Sequence, residues 1–355
     1  MAGPDPAPAA VPPFPEVTVL LGDPSLPDGT KFEGRYHQED LDCIDRMKAA
    51  LESLPGYRFD FVTEHEGLLQ RFLARPPQFV LNFCDTGYRN NAFLELNLPA
   101  FLEMLGVPYS GAGPFSMVLA YDKAIVREVA AARGVPVPDE LYVEPGDSAA
   151  AERVTYPALI KPNYGDGSVG ITKDAVVADA AGARRYLDWL WQALPGRAAL
   201  IQEYLPGPEY GMGVIGNPRG DFTVLPMLEV DFSALGPALP PILGFESKTQ
   251  PDSPYWTDIR FRETRLDKAT RDRLAGYARR LFGRLQLRDY GRFDFRADAK
   301  GTIKLMEVNP NPAWAWDGKL AIMADKAGIA YPRMLAMILD AAQQRCARER
   351  SSAAP

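Results

Sequence analysis

The segment running from Tyr290 to Asn309, YGRFDFRADAKGTIKLMEVN, reads as two β-strands joined by a turn at Asp298-Ala-Lys-Gly301. Strand side chains alternate, so Arg292 and Asp294 share one face of the first strand, and Glu307 and Asn309 share one face of the second. A turn of two or four residues pairs even-numbered with odd-numbered positions and makes those two faces coincide. Arg292, Asp294, Glu307 and Asn309 then converge, while Phe293, Phe295, Met306 and Val308 cover the opposite side. Two carboxylates beside an amide oxygen are hard ligands that suit Mg²⁺ bridging substrate phosphates. The same pattern also describes a solvated strand face with an Arg292–Glu307 cross-strand ion pair.

Working outward from the hairpin, a helix is expected from Thr270, an N-capping residue type, with Leu274, Tyr277, Leu281 and Leu285 on one face. A last helix is expected over 331–345. Toward the N-terminus, strands are expected at 16–21, 59–62 and 79–83, with helices at 38–51 and 93–105 between and after them. Such alternation predicts an open α/β unit with a parallel sheet that binds ligands at the carboxyl ends of its strands. A helical pattern follows over 120–133. No internal repeat of solenoid period is present.

Two further segments carry candidate chemistry. The strand 156–161 ends in Lys161 and runs into Asn163-Tyr-Gly-Asp-Gly-Ser-Val-Gly170. Glycines let backbone N–H groups approach phosphate oxygens, and a lysine at a strand end adds fixed positive charge. It is neither a Walker A sequence nor a dinucleotide fingerprint, and a glycine-rich turn gives the same letters. The strand 199–205 contains Ile201-Gln-Glu-Tyr-Leu205 and is stopped by Pro206-Gly-Pro208 before Glu209. An apolar strand ending in a polar hinge offers an adenine a backbone donor and acceptor, and its ribose a carboxylate.

Composition narrows the classes. The chain has 355 residues, and 39 Lys+Arg against 46 Asp+Glu leave a net charge of −7. An acidic balance argues against nucleic acid or an anionic membrane surface as the main partner. Cys43, Cys84 and Cys346 form no paired motif, which points to a reducing compartment and excludes a cysteine zinc site. His37 and His65 are the only histidines, too few for a multi-histidine metal centre. No apolar run reaches the roughly 20 residues of a membrane helix, and the Pro/Ala-rich residues 1–15 lack the pattern of a signal peptide. The expectation is a cytoplasmic protein with a disordered N-terminal tail.

In order and spacing, Lys123 (YDKAIVRE), Lys161 (ALIKPNYGDGSVGI), the hinge (LIQEYLPGPE), Lys248 (FESKTQ), Asp294 (GRFDFR) and Glu307 with Asn309 (LMEVNPNP) resemble the ATP-grasp superfamily. Within it they are similar to the D-alanine–D-alanine ligase branch. The resemblance covers about 79–342, including LEMLGVPYSGAG ahead of Lys123. It implies a mixed α/β and α+β fold of three domains. These are an N-terminal open α/β domain (16–115), a small central lid domain (116–207) and a C-terminal catalytic domain built on an antiparallel sheet (208–345), with tails at 1–15 and 346–355.

The resemblance also implies roles. Lys123 and Lys161 would hold ATP phosphates, and Gly165, Asp166, Gly167 and Ser168 would form the lid over them. Gln202, Glu203, Tyr204 and Leu205 would read the adenine, with Met306 among the nucleotide contacts, and Glu209 would take the ribose. Lys248 would reach the γ-phosphate. Asp294, Glu307 and Asn309 would ligate two Mg²⁺ ions, with Mn²⁺ as a substitute. Arg292 and the backbone N–H of Ala313 would face the oxyanion of a tetrahedral intermediate. The sequence departs from the family's pattern where the second substrate enters. Trp314-Ala-Trp-Asp-Gly-Lys319 replaces a small, hydroxyl-rich segment, which makes Trp314, Trp316, Asp317 and Lys319 candidate substrate contacts. Glu229 is another, standing where a basic residue would align.

The leading expectation is an ATP- and Mg²⁺-dependent ligase joining a small-molecule carboxylate to an amine through an acyl phosphate, in a biosynthetic pathway such as natural-product assembly. The alternatives are an authentic cell-wall D-alanine–D-alanine ligase and a non-catalytic nucleotide-binding module. A homodimer is compatible with the resemblance.

Overall fold

The structure, a computed structural model, describes residues 12–165 and 167–353. Asp166, residues 1–11 of the expected tail and residues 354–355 lie outside the described residues. In chain order the elements begin with β1 (Glu16–Leu20), α1 (Gln38–Glu52), β2 (Arg58–Val62), α2 (Leu68–Ala74), β3 (Val80–Asn82) and α3 (Asn97–Met104). The strands form a parallel sheet in the order β2-β1-β3. Its carboxyl ends feed the loops that carry Thr30, Lys31, Asp85 and Thr86, as the open α/β reading requires.

Next come α4 (Pro114–Tyr121) and α5 (Lys123–Ala131). The expected single helix over 120–133 is two helices, because Asp122 leaves helical geometry and its side chain accepts from Ile125 N–H, capping α5. A second, antiparallel sheet of order β4-β7-β5-β6 is built from β4 (Glu140–Val143), β5 (Ala158–Pro162), β6 (Val176–Val177) and β7 (Ala199–Glu203). Helix α6 (Ala180–Ala193) packs on it through Ala183, Tyr186, Leu187 and Leu190. Gly170 closes the glycine-rich loop at φ +76°, and a Cβ there would lie 2.9 Å from Leu190 and from Pro162. Backbone conformation and space both demand glycine at that position.

The third sheet is antiparallel: β8 (Glu209–Gly216), β9 (Phe222–Val224), β10 (Leu228–Asp231), then α7 (Glu246–Thr249), α8 (Pro254–Thr257), β11 (Arg260–Glu263), α9 (Lys268–Arg284), β12 (Tyr290–Ala297) and β13 (Ile303–Asn309). Strand order is β11-β10-β8-β12-β13, with β9 beside β8. Helix α9 is capped by Asp267 and not by Thr270, whose N–H is the donor to the Asp267 carboxylate. Helices α10 (Lys319–Lys326) and α11 (Tyr331–Ala353) complete the chain.

The segment 346–355, expected as a tail, continues α11 as far as Ala353, and Cys346 is buried. Residues 12–15 of the expected N-terminal tail also dock. Phe14 stacks on Phe79, and its backbone N–H and C=O pair with the Gln343 side chain at 3.1 and 2.7 Å. One apolar core therefore runs from Val17, Val19 and Phe79 of the first sheet through Met334, Leu335 and Ile338 of α11 to Ile215 and Leu225 of the third sheet. That shared core fixes the N-terminal wall of the site against the catalytic sheet.

Candidate active site

The hairpin delivers the expected face by an unexpected route. Its loop, residues 298–302, has five residues, which alone would pair odd with odd positions, as in Phe295 with Leu305. A β-bulge beyond that pair shifts the register, so Asp294 sits across from Glu307 and Arg292 across from Asn309. The bulge also turns Met306 into the cavity beside Glu307, whereas it was expected on the covered face. Phe293, Phe295, Leu305 and Val308 occupy the core behind.

A cavity of about 720 Å³ opens between the three sheets. Its lining includes Lys123, Lys161, Gly165, Gly167, Ser168, Glu209, Lys248, Arg292, Asp294, Met306, Glu307, Ala313 and Lys319 from among the expected residues. Leu159, Ile171, Ile242 and Leu243 supply apolar wall. The lid region is stitched down on both sides. Lys123 donates to the Gly165 carbonyl, Asn163 Oδ1 accepts from Ala124 N–H at 3.0 Å, and Ser168 Oγ donates to the Leu243 carbonyl at 3.0 Å.

Burial works to raise the Asp294 carboxyl. The charges of Arg292 and Lys319, with the hydrogen bonds from Arg292, overcome it and hold it well below the usual carboxylate range. Arg292 forks onto Asp294 with contacts of 3.0–3.2 Å, and Asn309 Nδ2 donates to Asp294 Oδ2 at 3.2 Å. Asp294 and Glu307 set two carboxylates side by side in the cavity, oxygen donors that suit Mg²⁺, while Asn309 lies buried behind them, outside the lining, with its amide nitrogen on Asp294. The pKa of Lys161 is lowered too, but in its case that disfavours the charged form. Burial and the Lys123 charge push its pKa down to about 8, against the pull of Glu140 and Glu307.

The hinge is arranged differently from the expectation. Gln202 accepts from Lys161 Nζ at 3.2 Å and donates to Glu140 at 2.7 Å, so its side chain ties the phosphate-side lysine to a buried carboxylate. Glu203 pairs with Lys304 at 2.7 Å. The backbone N–H groups of Glu203 and Tyr204 donate to Asp139 and Pro157 carbonyls, and Leu205 is buried. None of the four is in the cavity lining among the described residues.

Four of the candidate substrate contacts also stand outside it. Trp314 stacks on Phe83 and donates its indole N–H to the Phe83 carbonyl at 2.7 Å, because an indole buried at a domain junction needs an acceptor. Trp316 is exposed under the Arg46 guanidinium, and Asp317 accepts from Cys43 Sγ at 3.7 Å. Glu229 is outside as well, held by its cross-strand partner Arg262 at 2.6 Å. Lys319, the first residue of α10, is the member of that group that lines the cavity.

The sequence reading missed a buried polar network on the N-terminal side. Glu95 accepts from Tyr121 Oη at 2.5 Å and from Asn311 Nδ2 at 2.7 Å, and Tyr290 Oη donates to Asn311. All four come from different elements, so no local spacing announces them. Phe93 and Arg197, stacked 3.7 Å apart, join the N-terminal wall to the loop before β7.

The family model for the D-ala D-ala ligase C-terminus matches residues 133–340. The chain belongs to the D-alanine–D-alanine ligase family. It is an ATP-grasp enzyme, an ADP-forming ligase that makes C–N bonds and depends on ATP and Mg²⁺. It is 30% identical to the uncharacterized protein y4sG of Sinorhizobium fredii over 85% of this chain and 87% of that protein. It is 28% identical to the D-alanine–D-alanine ligase of Caulobacter sp. over 93% and 94% of the two chains. The fold matches that of the Bacillus anthracis D-alanine–D-alanine ligase complexed with ATP at a TM-score of 0.70, with 21% identity and 94% and 99% coverage. Among the described residues no helix is long and apolar enough to cross a membrane.

Proposed function

We propose that this ligase joins two amino-acid-like substrates, a carboxylate and an amine, in a biosynthetic step. The observation that carries the reading is the meeting of Lys123, Lys161, Lys248 and Arg292 with the Asp294–Glu307 pair around one cavity. Asp294, Glu307 and Asn309 would hold Mg²⁺, which neutralises phosphate charge when bound. Lys123, Lys161 and Lys248 would clamp the phosphates, and Glu209 would take the ribose. With ATP so held, the substrate carboxylate attacks the γ-phosphorus, the bond to the bridging oxygen breaks, and ADP leaves an acyl phosphate. Positioning and charge supply most of this step. The amine then attacks the acyl carbon, Arg292 and the Ala313 N–H receive the developing oxyanion, and phosphate departs as the amide forms. The lid, fastened to the Leu243 carbonyl through Ser168, keeps water from the acyl phosphate.

The N-terminal side of the cavity supports substrates more polar than alanine. Thr30, Lys31, Asp85, Thr86, Asn90 and Asn91 line it, and Lys319 adds a cation suited to a carboxylate. The 28% identity to a D-alanine–D-alanine ligase favours D-alanine as a second reading. Product mass after incubation with ATP, Mg²⁺ and a panel of D- and L-amino acids decides between them. D-alanine alone yielding dipeptide as efficiently as any other pair would install the second reading. ADP release with no amine dependence would remove both.

A further inference from the structure

Arg296 continues the alternation that places Arg292 and Asp294 in the cavity, two residues further along β12. It lines the cavity, yet its side chain is only 4% exposed. It is the direct cross-strand partner of Glu209 on β8. One guanidinium nitrogen donates to Glu209 Oε2 at 3.2 Å, and the other donates to the Pro241 carbonyl at 2.6 Å. The plane is also flanked by Tyr204 and Phe232, whose ring centroids are 5.6 and 5.4 Å away. Its Nε is buried without a hydrogen-bond partner. Holding an arginine this deep costs desolvation, which one ion pair recovers only in part.

Glu209 is the group that gains. Burial raises its pKa, and so do the neighbouring carboxylates Asp294 and Glu307, while Lys319 and Arg296 pull it back down. A carboxylate has roughly four acceptor sites, so one guanidinium bond on Oε2 is compatible with two hydroxyl donors from a ligand.

We infer that Arg296 is the positioning residue for Glu209, holding its carboxylate as an acceptor of the ribose hydroxyls and so setting the preference for ATP over deoxynucleotides. The inference deepens the proposed nucleotide site and rests on the reading of Glu209 as the ribose acceptor. The bond to Pro241 adds a second consequence. The loop ahead of α7, which brings Ile242, Leu243 and Lys248 over the cavity, is tied to the same guanidinium that orients Glu209.

The test titrates ATP, 2′-deoxy-ATP and 3′-deoxy-ATP, with Mg²⁺ and no amine, into the whole enzyme and its Glu209→Gln, Arg296→Gln and Arg296→Lys variants. A hydrogen bond to a charged group is worth a factor of roughly ten or more. The wild type is therefore expected to favour ATP over either deoxynucleotide by about that factor. Glu209→Gln and Arg296→Gln should both collapse the ratio toward one, because ATP loses more affinity than either deoxynucleotide, which has one hydroxyl fewer to lose. Arg296→Lys, which keeps the charge, should retain part of it and remains informative where the neutral variant folds poorly. A merely structural arginine would lower the melting temperature and leave the ratio alone. A ratio lost in Glu209→Gln but kept in both Arg296 variants overturns the inference and spares the ribose reading. A wild type that does not discriminate, or a Glu209→Gln variant that still does, overturns both.

Discussion

Asp294 and Glu307 are direct cross-strand partners, and they are so because the register of β12 and β13 shifts by one residue just before they meet. The bulge sets the two carboxylates opposite one another in the cavity and turns Met306 in beside them. Like charges placed opposite across a sheet repel, an arrangement that a structural hairpin avoids and a cation site uses.

Asp294→Asn or Glu307→Gln is accordingly expected to cost at least about 100-fold in ligation, the equivalent of several kcal/mol of charge stabilisation. The fold should survive, since each change keeps size and shape. Turnover at millimolar Mg²⁺, read beside the circular-dichroism spectrum, checks this. Near-normal rates in either variant would show that the hairpin face does not carry the metal.

Much of this face was legible because period-two alternation needs only the identities at 292, 294, 307 and 309. The bulge was not, since a register shift leaves no compositional mark here, with no glycine at its position. Arg296 obeys the same alternation and escaped only because the reading stopped at the residues that a metal would use. The network of Glu95, Tyr121, Asn311 and Tyr290 lay beyond reach for a different reason. Its members are up to 216 residues apart in the chain, and only tertiary packing brings them together. The last helix was expected to end at Arg345, whereas that residue pairs with the buried Asp289 and α11 carries on to Ala353.

Trp314 is a finding about stability and not about the amine. The residue is 9% exposed, its ring stacks on Phe83, and its own carbonyl accepts from Tyr331 Oη at 3.1 Å. Trp314→Ala should destabilise the protein by about 3–5 kcal/mol, as truncations of buried aromatic residues do. The Phe83 carbonyl also loses its donor. Denaturant unfolding gives the cost, and an amine panel run well below the melting temperature should show an unchanged order of preference. A broadened panel would return Trp314 to the substrate site.

Arg345 and Asp289 form a two-point bridge at 2.9 and 2.7 Å, and Asp289 also accepts from Gly111 N–H and Asn217 Nδ2. Four segments meet at one carboxylate with no exposure to water. Breaking a buried pair by removing one partner costs about 3–5 kcal/mol, because the other charge stays behind. Asp289→Asn is therefore expected to lower the melting temperature sharply. ATP affinity at low temperature should hold, since neither residue lines the cavity. Unchanged thermal stability would mean that the charge is not needed at this junction.

Lys161 predicts a pH dependence whose direction can be worked out. Burial first, and then the charge of Lys123, lower its pKa from 10.5 to about 8, while Glu140 and Glu307 oppose the shift and Gln202 bonds the ammonium. Only the charged form attracts phosphates, and a bound nucleotide restores the proton that burial removes. ATP affinity should therefore be flat below pH 8 and fall as pH rises through that value, by up to about tenfold per unit. Stability of the ligand-free enzyme should respond in the opposite sense. Between about 8 and 10.5 the unfolded chain holds a proton that the folded lysine lacks, so this residue's contribution to stability grows with pH in that window. Lys161→Arg, charged throughout, should flatten the affinity profile, and Lys161→Met should weaken binding at every pH and flatten it as well. Lys173, whose side chain pairs with Asp174 on the surface, supplies the control, and Lys173→Ala should leave the profile as it stands. A profile that still falls through pH 8 in Lys161→Arg would assign the titration to another group and remove Lys161 from the phosphates.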